Sequence, residues 1–231
     1  MSVNAKRLAA EKAVEFVKDG MKVGLGTGST AYWAIEKIGR RVQEEGLDIV
    51  AVATSQASED QARGLGIPLV GFGEIGGLDL TIDGADELDS GLQLIKGGGG
   101  ALLREKIVAM GSASMIVVAD ESKVVNTLGR FPLPVEVIPF ACEWTLADLA
   151  KLGCEAALRR NGDELYLTDN GNYIADCRFE SIADASALQE SLRRIPGVVE
   201  HGLFLGVASM AVVAKSDGSV ELLKPNRLKG E

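Results

Sequence analysis

The chain has 231 residues, of which 46% are apolar and 25% are charged, and its formal net charge is −9. The length suits one large domain or two small ones, and the composition excludes wholesale disorder. The acidic balance argues against a broad contact with nucleic acid or a membrane surface, but it leaves room for a local anion site.

Cysteine and histidine are scarce in this sequence. Cys142, Cys154 and Cys177 lack CxxC spacing, which argues against a disulfide framework or a zinc cluster and favours a reducing compartment. The single histidine, His201, excludes a His-rich metal site, and we expect it to be structural. The charged N-terminus fits no secretory leader, and the longest mostly apolar run, 203–214, is too short for a membrane span of about 20 residues. We therefore expect a soluble cytoplasmic protein.

Short apolar strands alternate with helices in the first part of the chain. The predicted helices cover 4–18, 31–45, 55–63 and 101–110. The predicted strands cover 22–25, 48–53, 67–70, 78–82 and 114–119. This pattern is typical of a doubly wound α/β fold, a mostly parallel, Rossmann-like sheet with helices on both faces.

The pattern changes at the two prolines of 131–134. Beyond them we predict strands at 135–138, 155–159 and 198–201, two strands flanking an Asn-Gly turn at 168–172, and helices at 143–152 and 184–195. This order indicates a smaller α+β, ferredoxin-like unit. A final hairpin over 210–224 is expected to rejoin the first sheet. We therefore expect a catalytic domain of 1–130 plus 206–231, and a small domain of 131–205 that serves in oligomerisation.

Three glycine-rich loops each follow a predicted strand. Ligands bind at the carboxyl ends of strands in open α/β sheets, so we expect the loops to share one crevice. The first loop, 24–30, leads into a helix, whose N-terminal N–H groups and dipole favour an anion, and it adds the hydroxyls of Thr27, Ser29 and Thr30. It predicts a phosphate site, with helix capping as the structural alternative. Neither a dinucleotide fingerprint nor a Walker loop fits its residues.

The second loop, 83–87, carries three carboxylates in five residues, namely Asp83, Asp86 and Glu87. Such groups repel one another unless a ligand, a cation or a proton is shared. Sugar hydroxyls are natural partners for these acceptors, and a magnesium ion is the rival functional reading. A solvated Asp-Gly turn is the structural alternative.

The third loop places Lys96 before four glycines, Gly97 to Gly100. Four glycines are conformationally costly, which indicates close approach of the backbone to a ligand. The helix that follows carries Arg104, Glu105 and Lys106, and because these fan over much of its circumference, at least one should be partly buried. A half-buried glutamate would have a raised pKa suited to a general base.

Seven segments occur in order along essentially the whole chain: GTGST (26–30), DGADE (83–87), KGGGGALLREK (96–106), ADESK (119–123), GRFPLPVEVIP (129–139), TDNGN (168–172) and IPGVVEHGLF (195–204). Through them the chain resembles the type A ribose-5-phosphate isomerase family. The resemblance implies interconversion of D-ribose 5-phosphate and D-ribulose 5-phosphate through an enediolate, in the non-oxidative pentose phosphate pathway. It also implies a homodimer or larger assembly and no required cofactor.

The resemblance also implies roles for individual residues. Glu105 would be the proton acceptor, and Asp83, Asp86 and Lys96 would assist ring opening and the enediolate. Substrate binding would fall to Thr27, Gly28, Ser29, Thr30, Asp83, Gly84, Ala85, Asp86, Lys96, Gly97, Gly98, Gly99 and Lys123. Two alternatives from other classes are a non-catalytic sugar-phosphate sensor domain and a CoA transferase of related fold with a nucleophilic glutamate.

Overall fold

A computed structural model describes residues 4–225. The helices in this part of the chain are α1 (Ala5–Val14), α2 (Ala31–Arg40), α3 (Gln56–Gly64), α4 (Leu102–Met110), α5 (Cys142–Ala150) and α6 (Ala185–Leu192). The strands are β1 (Lys22–Leu25), β2 (Val50–Ala53), β3 (Leu80–Gly84), β4 (Glu87–Leu88), β5 (Leu94–Ile95), β6 (Met115–Asp120), β7 (Leu133–Val137), β8 (Glu155–Leu158), β9 (Arg160–Asn161), β10 (Glu164–Leu165), β11 (Tyr173–Arg178), β12 (Val198–His201), β13 (Leu203–Phe204), β14 (Met210–Ala214) and β15 (Val220–Leu223).

The central sheet has the strand order β15-β14-β6-β3-β1-β2 and is parallel except for β15. Side chains of a strand alternate between its faces. Ile116 and Val118 of β6 therefore pack into one apolar cluster with α1 and α2, whereas Met115 and Val117 pack into another with α4. Helices on both faces confirm the predicted doubly wound α/β fold, and the final hairpin of β14 and β15 joins this sheet as expected.

A second, antiparallel sheet has the strand order β12-β7-β11-β8. With α5 after β7 and α6 after β11, the elements follow the predicted ferredoxin-like order. Its core contains Leu133, Val135, Leu149 and Leu192, all fully buried. The assignment of 1–130 plus 206–231 and of 131–205 to separate domains stays a prediction, and 1–3 and 226–231 lie outside the described residues.

Several predicted strands differ in the structure. The segment 67–70 forms only a single bridge, Leu69 to Ala51, because Pro68 has no N–H to donate. Pro134, which we expected at a boundary, lies within β7 opposite Asp176. The turn at 168–172 is present, but the strand after it, β11, pairs with β8, whereas β10 pairs with β9 in a small hairpin.

The helix predicted over 31–45 ends its α-helical part at Arg40 and continues as a π-helical segment, Arg41–Glu45. A small antiparallel sheet of β13, β5 and β4 was not predicted. Its strands have two residues each, which is too short for an alternating pattern to be recognised. None of the helices within 4–225 has the length and apolar character needed to cross a membrane.

Candidate active site

The three glycine-rich loops meet at the carboxyl ends of β1 and β3, where they line a cavity of about 280 Å³. Its wall contains every predicted binding residue except Asp83, together with Glu105 and one residue that was not predicted, Lys6. Asp83 lies behind the wall, because it belongs to β3 and its side chain is buried in the interior. The sequence predicted that this strand would end two residues earlier.

The first loop is held against β3 by its backbone. Thr27 N–H donates to Asp83 Oδ1 over 3.0 Å, and Gly28 has a φ of 106°, a left-handed conformation that favours glycine. Thr30 is the N-cap of α2, but its hydroxyl makes no capping hydrogen bond. Helix capping therefore does not explain this hydroxyl. We expected the Thr27 hydroxyl to face a ligand. Instead, it joins a hydrogen-bond network with the hydroxyls of Thr54, Ser55 and Ser58.

Besides Lys96, two further ammonium groups line this cavity. Lys6, from α1, donates to Ser29 Oγ over 2.9 Å, and Lys123 lies 6.0 Å from the Phe131 ring and makes no ion pair with the described residues. Lys6 was missed because it is one of 24 basic residues and reaches the first loop only through packing of α1 on α2. No spacing pattern in the sequence indicates that contact.

A buried ionic cluster forms part of the cavity wall, with Lys96 at its centre. The Lys96 ammonium contacts Gly84 O at 2.6 Å, Asp83 Oδ2 at 3.0 Å and Glu105 Oε1 at 3.3 Å. Lys96, Asp83 and Glu105 are only 2%, 1% and 4% exposed. The contacts with Gly84 and Glu105 are hydrogen bonds, and the contact with Asp83 is an ion pair.

Glu105 has the properties of a general base. Burial and the nearby Asp83 carboxylate raise the pKa of Glu105 to about 8, against the lowering effect of the Lys96 ammonium. Burial alone would lower the pKa of Lys96, but the carboxylates of Asp83 and Glu105 raise it above its ordinary value. Glu105 Oε2 is buried and accepts no hydrogen bond from the described residues. This oxygen is therefore unoccupied and able to accept a proton.

The three carboxylates of 83–87 have three different partners. Asp83 pairs with Lys96, and Asp86 accepts the Gly98 N–H over 2.7 Å at the cavity wall. Glu87 is directed away from the cavity and accepts backbone N–H groups of the 129–131 segment. Two of the three therefore belong to the site, and because Asp83 and Glu87 are buried, a solvated turn is excluded.

The neighbours of Glu105 on α4 are structural. Arg104 donates to Asn170 Oδ1 over 2.9 Å and to the Asp169 carbonyl over 2.8 Å. Lys106 donates to Glu200 Oε1 over 2.7 Å and to the His201 carbonyl over 2.6 Å, and burial lowers its pKa to about 8. Burial likewise lowers the pKa of His201 to about 4, so the ring is neutral at pH 7. Among residues 4–225 we find no group of three or more His, Cys, Asp or Glu residues arranged to hold a metal ion.

Known proteins share this architecture. A family model described as ribose 5-phosphate isomerase A (phosphoriboisomerase A) matches residues 50–218. The chain belongs to this family. A ribose-5-phosphate isomerase A of Listeria monocytogenes serotype 4b is 52% identical over 223 residues, which cover 96% of this chain and 99% of that protein.

Solved structures of ribose-5-phosphate isomerases superpose closely on the chain. One from Plasmodium falciparum has a TM-score of 0.93 at 40% identity and covers 96% of this chain and 99% of its own. Another, solved in complex with phospho-erythronic acid, has a TM-score of 0.92 at 37% identity and covers 97% and 99%. The chain is thus an aldose–ketose isomerase, and the sensor-domain and CoA-transferase alternatives are set aside.

Proposed function

We propose that the cavity converts D-ribose 5-phosphate to D-ribulose 5-phosphate and back through an enediolate, as a step of the non-oxidative pentose phosphate pathway. The observation that carries this proposal is the buried glutamate beside a lysine, with one carboxylate oxygen unoccupied. A proton must move between C2 and C1 of the sugar, and a carboxylate with a raised pKa suits that transfer at neutral pH. The proposed reaction requires neither a metal ion nor an organic cofactor.

The substrate phosphate binds at the first loop. Its charge is matched by the ammonium groups of Lys6 and Lys123, by the hydroxyls of Ser29 and Thr30, and by the N-terminal end of α2. The other end of the sugar then lies between the second and third loops. Phosphate binding at a distance from the reacting carbons helps to position them.

Glu105 Oε2 accepts the proton of C2, and the released electron pair forms the C1–C2 double bond while the C1 carbonyl oxygen becomes an oxyanion. The proton of the C2 hydroxyl passes to the C1 oxygen, and as the same carboxyl returns the first proton to C1, the electron pair of the C2 oxygen forms the carbonyl of the ketose. Lys96 contributes positive charge beside the oxyanion, and Asp83 acts through Lys96 because it does not reach the cavity wall. Asp86 lines the wall and is the acid–base group that we assign to ring opening.

The direct test is an isomerase assay on ribose 5-phosphate, with and without chelator, for the wild type and Glu105→Gln. General acid–base groups contribute about 10²–10⁴-fold, so we expect kcat to fall by that range while substrate still binds. The matched control is Glu190→Gln, an exposed residue of α6 that pairs with Arg193. If Glu105→Gln still exchanged the C2 proton with solvent at the wild-type rate, Glu105 would not be the base. Loss of activity in chelator, restored by Mg²⁺, would favour the magnesium reading.

We also propose a homodimer or larger assembly in the cytoplasm, with the 131–205 segment in the interface. Phe140 and Trp144, at the start of α5, are 83% and 79% exposed, and such aromatic side chains are enriched at interfaces. The three cysteines are unpaired, which suits a reducing compartment. Light scattering on Trp144→Glu should detect a smaller species than for the wild type. A monomeric wild type would contradict the proposed assembly.

A further inference from the structure

The third loop is held by two side chains from the 131–205 segment, Arg159 and Tyr166. Arg159, which follows β8, donates from Nη1 to Gly97 O over 2.9 Å and to Gly98 O over 3.0 Å. The Tyr166 hydroxyl donates to Gly99 O over 3.3 Å. Each carbonyl of this part of the loop therefore has a donor from outside the loop.

Arg159 is itself fixed in place. Its Nε donates to Asp176 Oδ2 over 3.0 Å and its Nη2 to Asp176 Oδ1 over 2.5 Å, a two-point pairing that fixes the plane of the guanidinium. The guanidinium also lies 5.8 Å from the centre of the Tyr166 ring. The side chains of Arg159 and Asp176 are 15% and 27% exposed, so solvent screens this pair only in part.

The position of each carbonyl fixes the direction of the next N–H, because the peptide group is planar and its N–H and C=O point in opposite directions. The N–H of Gly98 donates to Asp86, and the N–H of Gly100 donates to Gly97 O. The N–H of Gly99 has no acceptor among the described residues, and Gly99 lines the cavity. By holding Gly98 O, Arg159 directs this free N–H.

The enediolate oxygen needs such a donor. Lys96 donates hydrogen bonds to Gly84 and Glu105 and pairs with Asp83, so its ammonium is held by these protein groups and supplies mainly charge to the cavity. Donors that are fixed before the reaction stabilise a developing oxyanion without reorganising. Gly97 and Gly99 both line the cavity with an N–H that has no acceptor among the described residues, and of the two the Gly99 N–H shares its peptide group with a carbonyl that Arg159 holds.

We propose that Arg159 is a positioning residue of the isomerase, which fixes the Gly98–Gly99 peptide so that the Gly99 N–H donates to the enediolate oxygen. Asp176 completes the unit by holding the guanidinium. The inference rests on the proposed function, since the oxyanion forms only if the cavity carries out the isomerisation. It assigns to the 131–205 segment a direct effect on the rate of the chemical step.

The test compares Arg159→Ala and Arg159→Lys with Arg160→Ala, a neighbouring arginine whose side chain donates only to the Asp163 carbonyl in the β9–β10 turn. Losing one oxyanion donor costs about 10²–10³ in kcat. We expect Arg159→Ala to lose about 10- to 100-fold in kcat, because the donor is misdirected rather than removed, with KM within about threefold. Arg159→Lys should stay low, since an ammonium has three donors and the guanidinium makes four hydrogen bonds in a fixed plane, and Arg160→Ala should match the wild type.

Further measurements separate positioning from a general loss of structure. Inhibition by inorganic phosphate should be unchanged in Arg159→Ala, because the first loop is untouched, and added methylguanidinium should restore part of its kcat. Asp176→Asn keeps the arginine but loosens it, and should lose several-fold in kcat even if Arg159→Ala fails to fold. An unchanged kcat in either variant, or full recovery in Arg159→Lys, would overturn the inference. An inactive wild type would instead refute the proposed function.

Discussion

In the proposed function, Lys123 binds the substrate phosphate at a distance from the reacting carbons. It lines the cavity and has no ion pair with the described residues, so its charge is available to a ligand. Hydrogen bonds to charged groups contribute about 1.5–3 kcal/mol. Because this contact stabilises ground and transition states alike, Lys123→Ala should raise KM about tenfold or more with kcat within about threefold, as measured by steady-state kinetics. Lys215→Ala, which removes an exposed lysine paired with Glu221, is the matched control. A loss confined to kcat would place Lys123 in the chemistry.

The protonation of Glu105 should determine the pH dependence of the rate. The base must be ionised, and burial raises its pKa to about 8. kcat/KM should therefore increase with pH and level off above about pH 8, with the apparent pKa belonging to the Lys96–Asp83–Glu105 cluster as a whole. A profile between pH 6 and 9 without an ascending limb would contradict this assignment.

Residues differ in how well the sequence predicts their position. Glu105 was one of three charged neighbours of which at least one was expected to be partly buried, and the structure buries Glu105 at the cavity and half-buries Lys106 against Glu200. The sequence could not show that Glu87, unlike Asp83 and Asp86, lies outside the site, because its partners are backbone N–H groups more than 40 residues away. Such long-range contacts leave no trace in local spacing.

Among the loop elements, two of the four glycines, Gly98 and Gly100, are required by close contacts with neighbouring protein groups. A Cβ on Gly98 would lie 2.4 Å from Asp86 Oδ1, and one on Gly100 would lie 2.2 Å from the Tyr166 hydroxyl. The sequence predicts a close approach to a ligand. The structure adds that neighbouring protein groups also need the space, which no local pattern could indicate.

Gly98→Ala should therefore displace the third loop. A misplacement of about 1 Å can cost about 10²-fold in rate, so we expect kcat to fall by about 10- to 100-fold with little change in thermal stability, because Gly98 is exposed. Gly64→Ala at the end of α3 is the control, since its Cβ would meet no atom within 4 Å, and it should keep the wild-type kcat. Equal activity of the two variants would show that the loop tolerates the shift.

For the whole molecule, the active-site cluster costs stability. Lys96, Asp83 and Glu105 together bury a net negative charge when all three are ionised. The folded pKa of Glu105 lies above its unfolded value, so ionisation of this carboxyl destabilises the fold progressively as the pH rises from about 4.5 to about 8. Below that window the carboxyl is protonated in both states and the cost disappears.

Glu105→Gln should accordingly melt at least about 2 °C above the wild type at pH 8, a shift that corresponds to about 1 kcal/mol for a chain of this size. The difference should shrink towards pH 5. Scanning calorimetry at pH 5, 6.5 and 8 measures both values, with Glu190→Gln as the control for an exposed carboxylate. A variant less stable than the wild type at pH 8 would mean that the Glu105–Lys96 contact outweighs the cost of burial.

Residues of the 159–201 segment contact α4 and the third loop, and these contacts affect how the two parts of the chain can evolve. Arg104 depends on Asp169 and Asn170, Lys106 depends on Glu200 and His201, and the glycine loop depends on Arg159. A gene recombined near residue 130 from two diverged relatives would join halves whose partners had changed separately. The two halves of the chain are therefore expected to evolve as one unit, with substitutions on one side of residue 130 answered by substitutions on the other.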